Sequence, residues 1–259
     1  MVTKNILILL AVVSVLGGAW WLTAQYSTQP LEPQKEEEAS DLVFTATPEG
    51  RHYAESTDLY SIDITYPTAP NAVIQARVDE IVREEVDRFK RENIDLIDAQ
   101  EADRLRQQGR HYELIVEHKA FYTRGAFISY EFDIYLDTGG AHPNAFYRTA
   151  TFRESGEELL LEDLFVSGAP YLTRLSEEAY PMVVEVLRAR VGGEVTPDME
   201  DTVRIGTSPS PEALQFFYLK DGELHLLFPP YQVAAYAAGS FDIAIPLSEL
   251  QDTLNPEVQ

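Results

Sequence analysis

Tyr112-Glu-Leu-Ile-Val-Glu-His-Lys-Ala-Phe-Tyr122 and Ala126-Phe-Ile-Ser-Tyr-Glu-Phe-Asp-Ile-Tyr-Leu136 decide the fold class. Both runs are rich in aromatic and β-branched residues and alternate with a period too short for a helix. Thr123-Arg-Gly125 joins them as a turn, so they read as an antiparallel hairpin. The glycine loop Asp137-Thr-Gly-Gly-Ala-His-Pro-Asn144 leads into a third strand, Ala145-Phe-Tyr-Arg-Thr-Ala-Thr-Phe152, and Glu154-Ser-Gly-Glu157 turns that into Leu159-Leu-Leu161. Upstream, Leu42-Val-Phe-Thr-Ala and Leu59-Tyr-Ser-Ile-Asp-Ile-Thr-Tyr66 alternate in the same way, with Tyr60, Ile62, Ile64 and Tyr66 on one face. Downstream, Lys220-Asp-Gly-Glu223 marks another hairpin and Phe241-Asp-Ile-Ala-Ile245 a final strand.

Helices fill the gaps. Ile74, Val78, Ile81, Val82, Val86 and Phe89 recur at helical spacing, predicting an amphipathic helix from about Asn71 to Glu92 whose Asp, Glu and Arg residues form a solvated face. A more polar helix is expected over Ile97 to Gln108, stopped by Gly109, and another over Ala169 to Arg190, capped or kinked by Pro181. Gly192 to Ser208 reads as a polar connection, and a short helix closes the chain at Leu247 to Leu254. The expectation is an α+β fold, a mostly antiparallel sheet with helices packed on one face. The portion up to about Phe152 is expected to complete a sheet with the C-terminal portion.

The 259 residues carry a formal charge of −23. An acidic surface repels phosphodiester backbones, which argues against a nucleic-acid partner and favours basic partners or divalent cations, although the same charge also serves solubility. Cysteine is absent, removing disulfides, thiolate metal sites and cysteine nucleophiles. The five histidines, His52, His111, His118, His142 and His225, show no metal-ligand spacing. No nucleophile elbow, Walker loop or dinucleotide glycine pattern is present, so the pattern names no catalytic residue, metal or cofactor.

Ile6 to Ala24 is almost wholly apolar over 19 residues, with Lys4 before it and Trp20 and Trp21 near its far end. That suits a retained membrane helix, the leading reading, and the small residues Gly17-Gly-Ala19 supply the competing one, a cleaved signal peptide. Residues 1–25 are accordingly read as a signal-anchor or signal peptide, and 26–40, with Pro30, Pro33 and Lys35-Glu-Glu-Glu38, as an acidic linker. Lys4 is the only charge before Glu32, which places the remainder outside the cytoplasm, either held at the membrane by a single pass or, if cleaved, secreted or periplasmic.

The glycine loop, Gly156-Glu-Glu-Leu-Leu-Leu-Glu-Asp-Leu-Phe165, Leu227-Phe-Pro-Pro-Tyr-Gln-Val-Ala-Ala-Tyr-Ala-Ala-Gly239 and Ile243-Ala-Ile-Pro-Leu-Ser-Glu-Leu250 together resemble the extracytoplasmic domain of RsiV-like anti-sigma factors, shared with the N-terminal side of PdaC-type peptidoglycan deacetylases. The resemblance divides the module into a PdaC-like part, 41–152, and an RsiV-like part, 153–259. It implies a scaffold rather than an activity. Only Met1 to Asn5 precede the apolar segment, and the chain ends nine residues after Leu250, so neither a sigma-binding segment nor a separate deacetylase domain is expected. Similarity to RsiV adds a basic protein such as a lysozyme to the possible partners.

Two segments are candidate ligand contacts. Asp137, Gly139, Gly140, His142 and Asn144 lie in the glycine loop, where paired glycines relax the backbone and His142 and Asn144 offer hydrogen-bonding groups. Tyr231 and Tyr236 could form an aromatic platform for a sugar or protein. Each has a plain structural alternative: a loop bonded to its own backbone, and a proline-stiffened crossing packed on the sheet. The leading expectation is a non-enzymatic envelope module that binds or senses cell-wall glycan or a basic protein. The alternatives are an enzyme modifying wall polymers through His142 or carboxylates such as Asp133, Asp137, Glu154, Glu162 and Asp163, and a protein-docking or structural module.

Overall fold

The computed structural model describes residues 45–47, 50–123 and 127–258. The expected signal or anchor, 1–25, and the acidic linker, 26–40, lie outside the described residues. No described helix is long and apolar enough to cross a membrane. The described residues belong to one compact unit.

Among the described residues, seven strands pair in chain order: β1 (Thr45–Thr47), β2 (Gly50–Ser56), β3 (Tyr60–Tyr66), β4 (Tyr112–Thr123), β5 (Phe127–Asp137), β6 (Asn144–Arg153) and β7 (Glu158–Leu159). All neighbours are antiparallel except β3 and β4. A parallel pair needs a crossover. Here it is built from helix α1 (Ala72–Phe89), a π-helical turn (Lys90–Ile94) and helix α2 (Ala99–Gln108). The Asn71 side chain starts α1 by accepting hydrogen bonds from the amides of Val73 and Ile74, and Gly109, at φ 61°, ends α2.

The six apolar positions of α1 are all buried, packed on Ile128, Tyr130, Phe132 and Ile134 of β5. One residue departs from the expected solvated face. Glu85 is 3% exposed and sits between Arg88 and Arg148, which contact its carboxylate. Burial pushes its carboxyl up, against the pull of the two guanidiniums.

The C-terminal portion makes its own sheet rather than completing the first. β8 (Phe217–Lys220), β9 (Glu223–Phe228) and β10 (Phe241–Pro246) pair in the order β10-β9-β8. Asp221 and Gly222, both at positive φ, make the expected tight turn between β8 and β9. Helix α3 (Tyr171–Val191) packs Leu175, Ala179, Val183 and Leu187 into the core shared with this sheet, and the helix continues through exposed Pro181 rather than ending there. The polar connection contains an additional helix, α4 (Pro197–Gly206), started by the Thr196 hydroxyl and by proline in its first turn.

The two sheets meet through side chains on the face of β5 and β6 opposite α1. Edge strand β8 would leave amides unpaired in a buried setting. Ser129 Oγ accepts from the Leu219 amide at 3.0 Å, and Thr149 Oγ1 accepts from the Phe217 amide at 3.1 Å. Ser129 also bonds Thr151 at 2.9 Å. Beside them, Tyr218 stacks between Phe121 and His225, with ring centroids 4.2 and 4.3 Å away. The Tyr218 hydroxyl donates to Asp242 at 2.6 Å, and His225 Nδ1 lies 2.8 Å from the same carboxylate. Burial opposes ionisation of Asp242, but the hydrogen bonds from His225 and Tyr218 outweigh it and hold the carboxyl below its usual value.

Ser129→Ala leaves the buried Leu219 amide without its acceptor, and urea titration should show a loss of about 1–3 kcal/mol. Asp242 has a depressed folded-state pKa, so it contributes stability above the ordinary carboxylate value of about 3.9 and loses that contribution as pH falls through the folded value. The stability gap between wild type and Asp242→Asn should therefore be open at neutral pH and close progressively in acid, as followed by urea midpoints across a pH series.

Candidate functional site

The glycine loop turns at its first residue. Asp137 Oδ1 accepts from the Gly139 amide at 2.7 Å, and Gly139 takes φ 76°, a region that glycine enters without steric cost. Arg110 lies 3.7 Å from the same carboxylate. The loop then carries His142 toward the segment that follows β9.

That segment is fixed along its length. Val233 and Ala234 are buried, and the Gln232 side chain donates to the Gly206 and Ala213 carbonyls at 2.9 and 2.7 Å. Gly206 must be glycine, because a Cβ there would stand 2.1 Å from the Gln232 carbonyl oxygen. Arg190 donates to the Ala238 and Ser240 carbonyls, each at 2.6 Å, and covers the Phe241 ring. A 3-10 turn, Tyr236–Ala238, then presents Tyr236.

His142, Tyr231 and Tyr236 come together. The imidazole stacks on Tyr236 with centroids 3.8 Å apart and planes at 19°. Its Nε2 is 2.9 Å from the Tyr231 hydroxyl, and its Nδ1 is 2.8 Å from the Pro143 carbonyl oxygen. The Tyr236 hydroxyl donates to that same carbonyl at 2.9 Å. A carbonyl can only accept, so Nδ1 carries a proton, and in the neutral ring Nε2 then accepts from the Tyr231 hydroxyl. Both ring nitrogens of His142 are thus engaged, and the three rings form a braced aromatic surface. Tyr231 is 60% exposed and sits at φ 72°, an uncommon conformation for a side chain of its size.

Of the remaining candidates, Asp137 and Gly139 shape the loop's own turn, while Gly140 and Asn144 are exposed, Asn144 opening β6 opposite Leu136. Neighbouring Tyr135 carries no warning in the sequence. Partial desolvation, then the carboxylates of Asp137 and Glu113, push its phenol up. A second polar cluster lies between the sheets, where Lys119 bridges Glu131 at 2.8 Å and Asp133 at 3.0 Å. Burial pushes Glu131 up, and its near-complete enclosure was hidden by its place in a strand that alternates like a half-solvated one. Among the described residues, no group of three or more His, Asp or Glu side chains is placed to hold a metal ion.

Residues 53–145 match the family described as Deacetylase PdaC, and residues 162–248 match that described as Protein of unknown function (DUF3298). A curated relative, the peptidoglycan-N-acetylmuramic acid deacetylase PdaC of Bacillus subtilis (strain 168), is 30% identical over 146 residues, covering 56% of this chain and 30% of the relative. The chain therefore spans less than a third of that enzyme's length. A DUF3298 family protein of Pseudomonas aeruginosa PAO1 shares the fold, with TM-score 0.59, 16% identity and coverage of 83% of this chain and 94% of that one. A DUF3298 family member from Bacteroides fragilis NCTC 9343 aligns with TM-score 0.52 at 18% identity, covering 84% and 96%. The α+β chain thus carries, in order, a segment similar to the PdaC family and a segment similar to the DUF3298 family.

Proposed function

We propose that the chain is an extracytoplasmic binding module, held at the membrane by its N-terminal apolar segment, and that the surface of His142, Tyr231 and Tyr236 takes a cell-wall glycan. The observation that carries this reading is the braced ring cluster itself. Sugar rings present flat C–H faces and a rim of hydroxyls, and tyrosines offer the complementary flat body and polar tip. Tyr231 adds support, because a bulky residue at φ 72° costs on the order of 1–3 kcal/mol and such conformations cluster at ligand-binding positions. The name of the Bacillus relative, which specifies peptidoglycan, points to the same ligand class.

A second reading, a basic protein such as a lysozyme, rests on the charge of −23. An enzyme using His142 as a proton carrier gains less support, since both ring nitrogens are already committed to Pro143 and Tyr231.

Sedimentation with purified peptidoglycan at low salt should retain the protein, and Tyr236→Ala should abolish retention by removing the ring on which His142 stacks. Retention of lysozyme with none of the glycan would favour the second reading, and released acetate or fragments would favour an enzyme. Tyr231→Gly separates strain from binding: relief of the left-handed conformation should leave the thermal midpoint unchanged or higher, while glycan retention falls.

A further inference from the structure

β6 is an edge strand over most of its length. β7 pairs only with Thr151 and Phe152, and the Arg153 amide, donating to the Glu157 carbonyl at 2.8 Å, shows that the odd-numbered residues point their N–H and C=O groups away from β5. Ala145, Tyr147 and Thr149 therefore direct both backbone groups outward. None of these groups has a hydrogen-bond partner among the described residues. The register with β5 runs from Asn144 to Arg153 without a bulge, and the exposed positions are Asn144, Ala145 and Phe146, the last 41% exposed. Edges are ordinarily blunted by charge, proline or a bulge. At Ala145 and Phe146 this one is regular, apolar and open.

A groove of about 510 Å³ runs beside it, lined by Phe146 to Thr149, by the end of α1, by Ile134 and Leu136, and by Gln215 and Phe216 ahead of β8. Its charges are unevenly committed. Arg148 is held by Glu84 and Glu85, and Arg88 by Glu85, whereas Glu92 is 59% exposed with Arg91 3.7 Å away.

We propose that β6 between Ala145 and Thr149 is a docking edge that takes an extended basic segment of a partner protein as an added strand. An apolar side chain of that segment enters the groove over Ile134 and Leu136, and a lysine or arginine meets Glu92. Main-chain pairing supplies affinity in such additions, and alternate side chains supply specificity. A second copy of this chain is the wrong occupant, since two bodies of charge −23 repel. The edge begins two residues beyond Pro143, whose carbonyl holds His142 and Tyr236, but the outward backbone groups of Ala145, Tyr147 and Thr149 are not among those that hold the rings.

The probe is a short fluorescent peptide of alternating lysine and valine, read by anisotropy at low salt, with hydrogen exchange of the protein followed by NMR. Saturable binding should accompany protection of the Ala145, Tyr147 and Thr149 amides. The same peptide N-methylated at alternate residues should bind at least about ten-fold more weakly, the equivalent of about 1.4 kcal/mol. Ala145→Pro should weaken binding similarly, because it removes an outward donor that the ladder with β5 does not use. The peptide-side comparison reads the same contact on the unaltered protein. Tyr236→Ala should leave peptide binding in place, which separates this edge from the proposed glycan surface. The proposal is overturned by equal binding of the N-methylated peptide, by preference for a glutamate–valine peptide, by absence of protection at the three amides, or by sedimentation showing a dimer paired through β6.

Discussion

The structure depends on how the edge of a small sheet is allowed to rest on the face of a large one. A buried strand edge carries amides that cost roughly 1–3 kcal/mol each if they lose water and gain nothing. Ser129 and Thr149 remove that cost for Leu219 and Phe217. The hydroxyls are short, so the sheets can approach closely, and the stacked Phe121, Tyr218 and His225 rings fill the space alongside. The same contact explains the buried carboxylates nearby. Glu131 is enclosed once the second sheet is in place, and Lys119 offsets its charge.

The aromatic surface follows from this docking. His142 belongs to the segment matching PdaC, whereas Tyr231 and Tyr236 belong to the DUF3298 segment. Neither segment alone contains the cluster. The Tyr236-to-Pro143 hydrogen bond and the Tyr147-to-Ser240 bond, at 2.9 and 2.6 Å, tie the two segments at the same end of β6, so the rings keep their spacing only while the sheets stay joined. A ring cluster assembled this way is held from both segments, which lowers the ordering cost for the proposed ligand.

Much of this was legible in the chain because period and turn chemistry are local. The alternation of Tyr112 to Leu136, the helical spacing of Ile74 to Phe89 and the Asp221-Gly222 turn each depend on neighbours in sequence, and each element formed where expected. The candidate rings were legible too, as residue types at loop positions. Their meeting was not, because His142 and Tyr231 are 89 residues apart. The separate second sheet was missed for a related reason. Ser129, Glu131 and Thr151 alternate with apolar residues just as a solvent-facing row would, yet they are 0%, 3% and 1% exposed beneath β8. Polarity marks a need for hydrogen bonds, and a protein surface can meet that need as well as water can. Helix α4 was hidden because its signal lies in Thr196-Pro197 and one buried valine, too few apolar positions for a period.

The same distinction between satisfied and exposed polar groups separates the two strand edges. On β8 the outward amides at Phe217 and Leu219 are satisfied by hydroxyls and the edge is closed. On β6 the outward groups at Ala145, Tyr147 and Thr149 have no hydrogen-bond partner among the described residues, yet the Tyr147 and Thr149 side chains are spent on Ser240 and Phe217. Those two side chains therefore hold the strand straight from the opposite face without covering its edge. A strand that is braced on one side and open on the other keeps its hydrogen-bonding groups in register before any partner arrives. Water then occupies the open edge, and an incoming strand exchanges it for a pre-formed ladder, at little cost in reordering β6 itself.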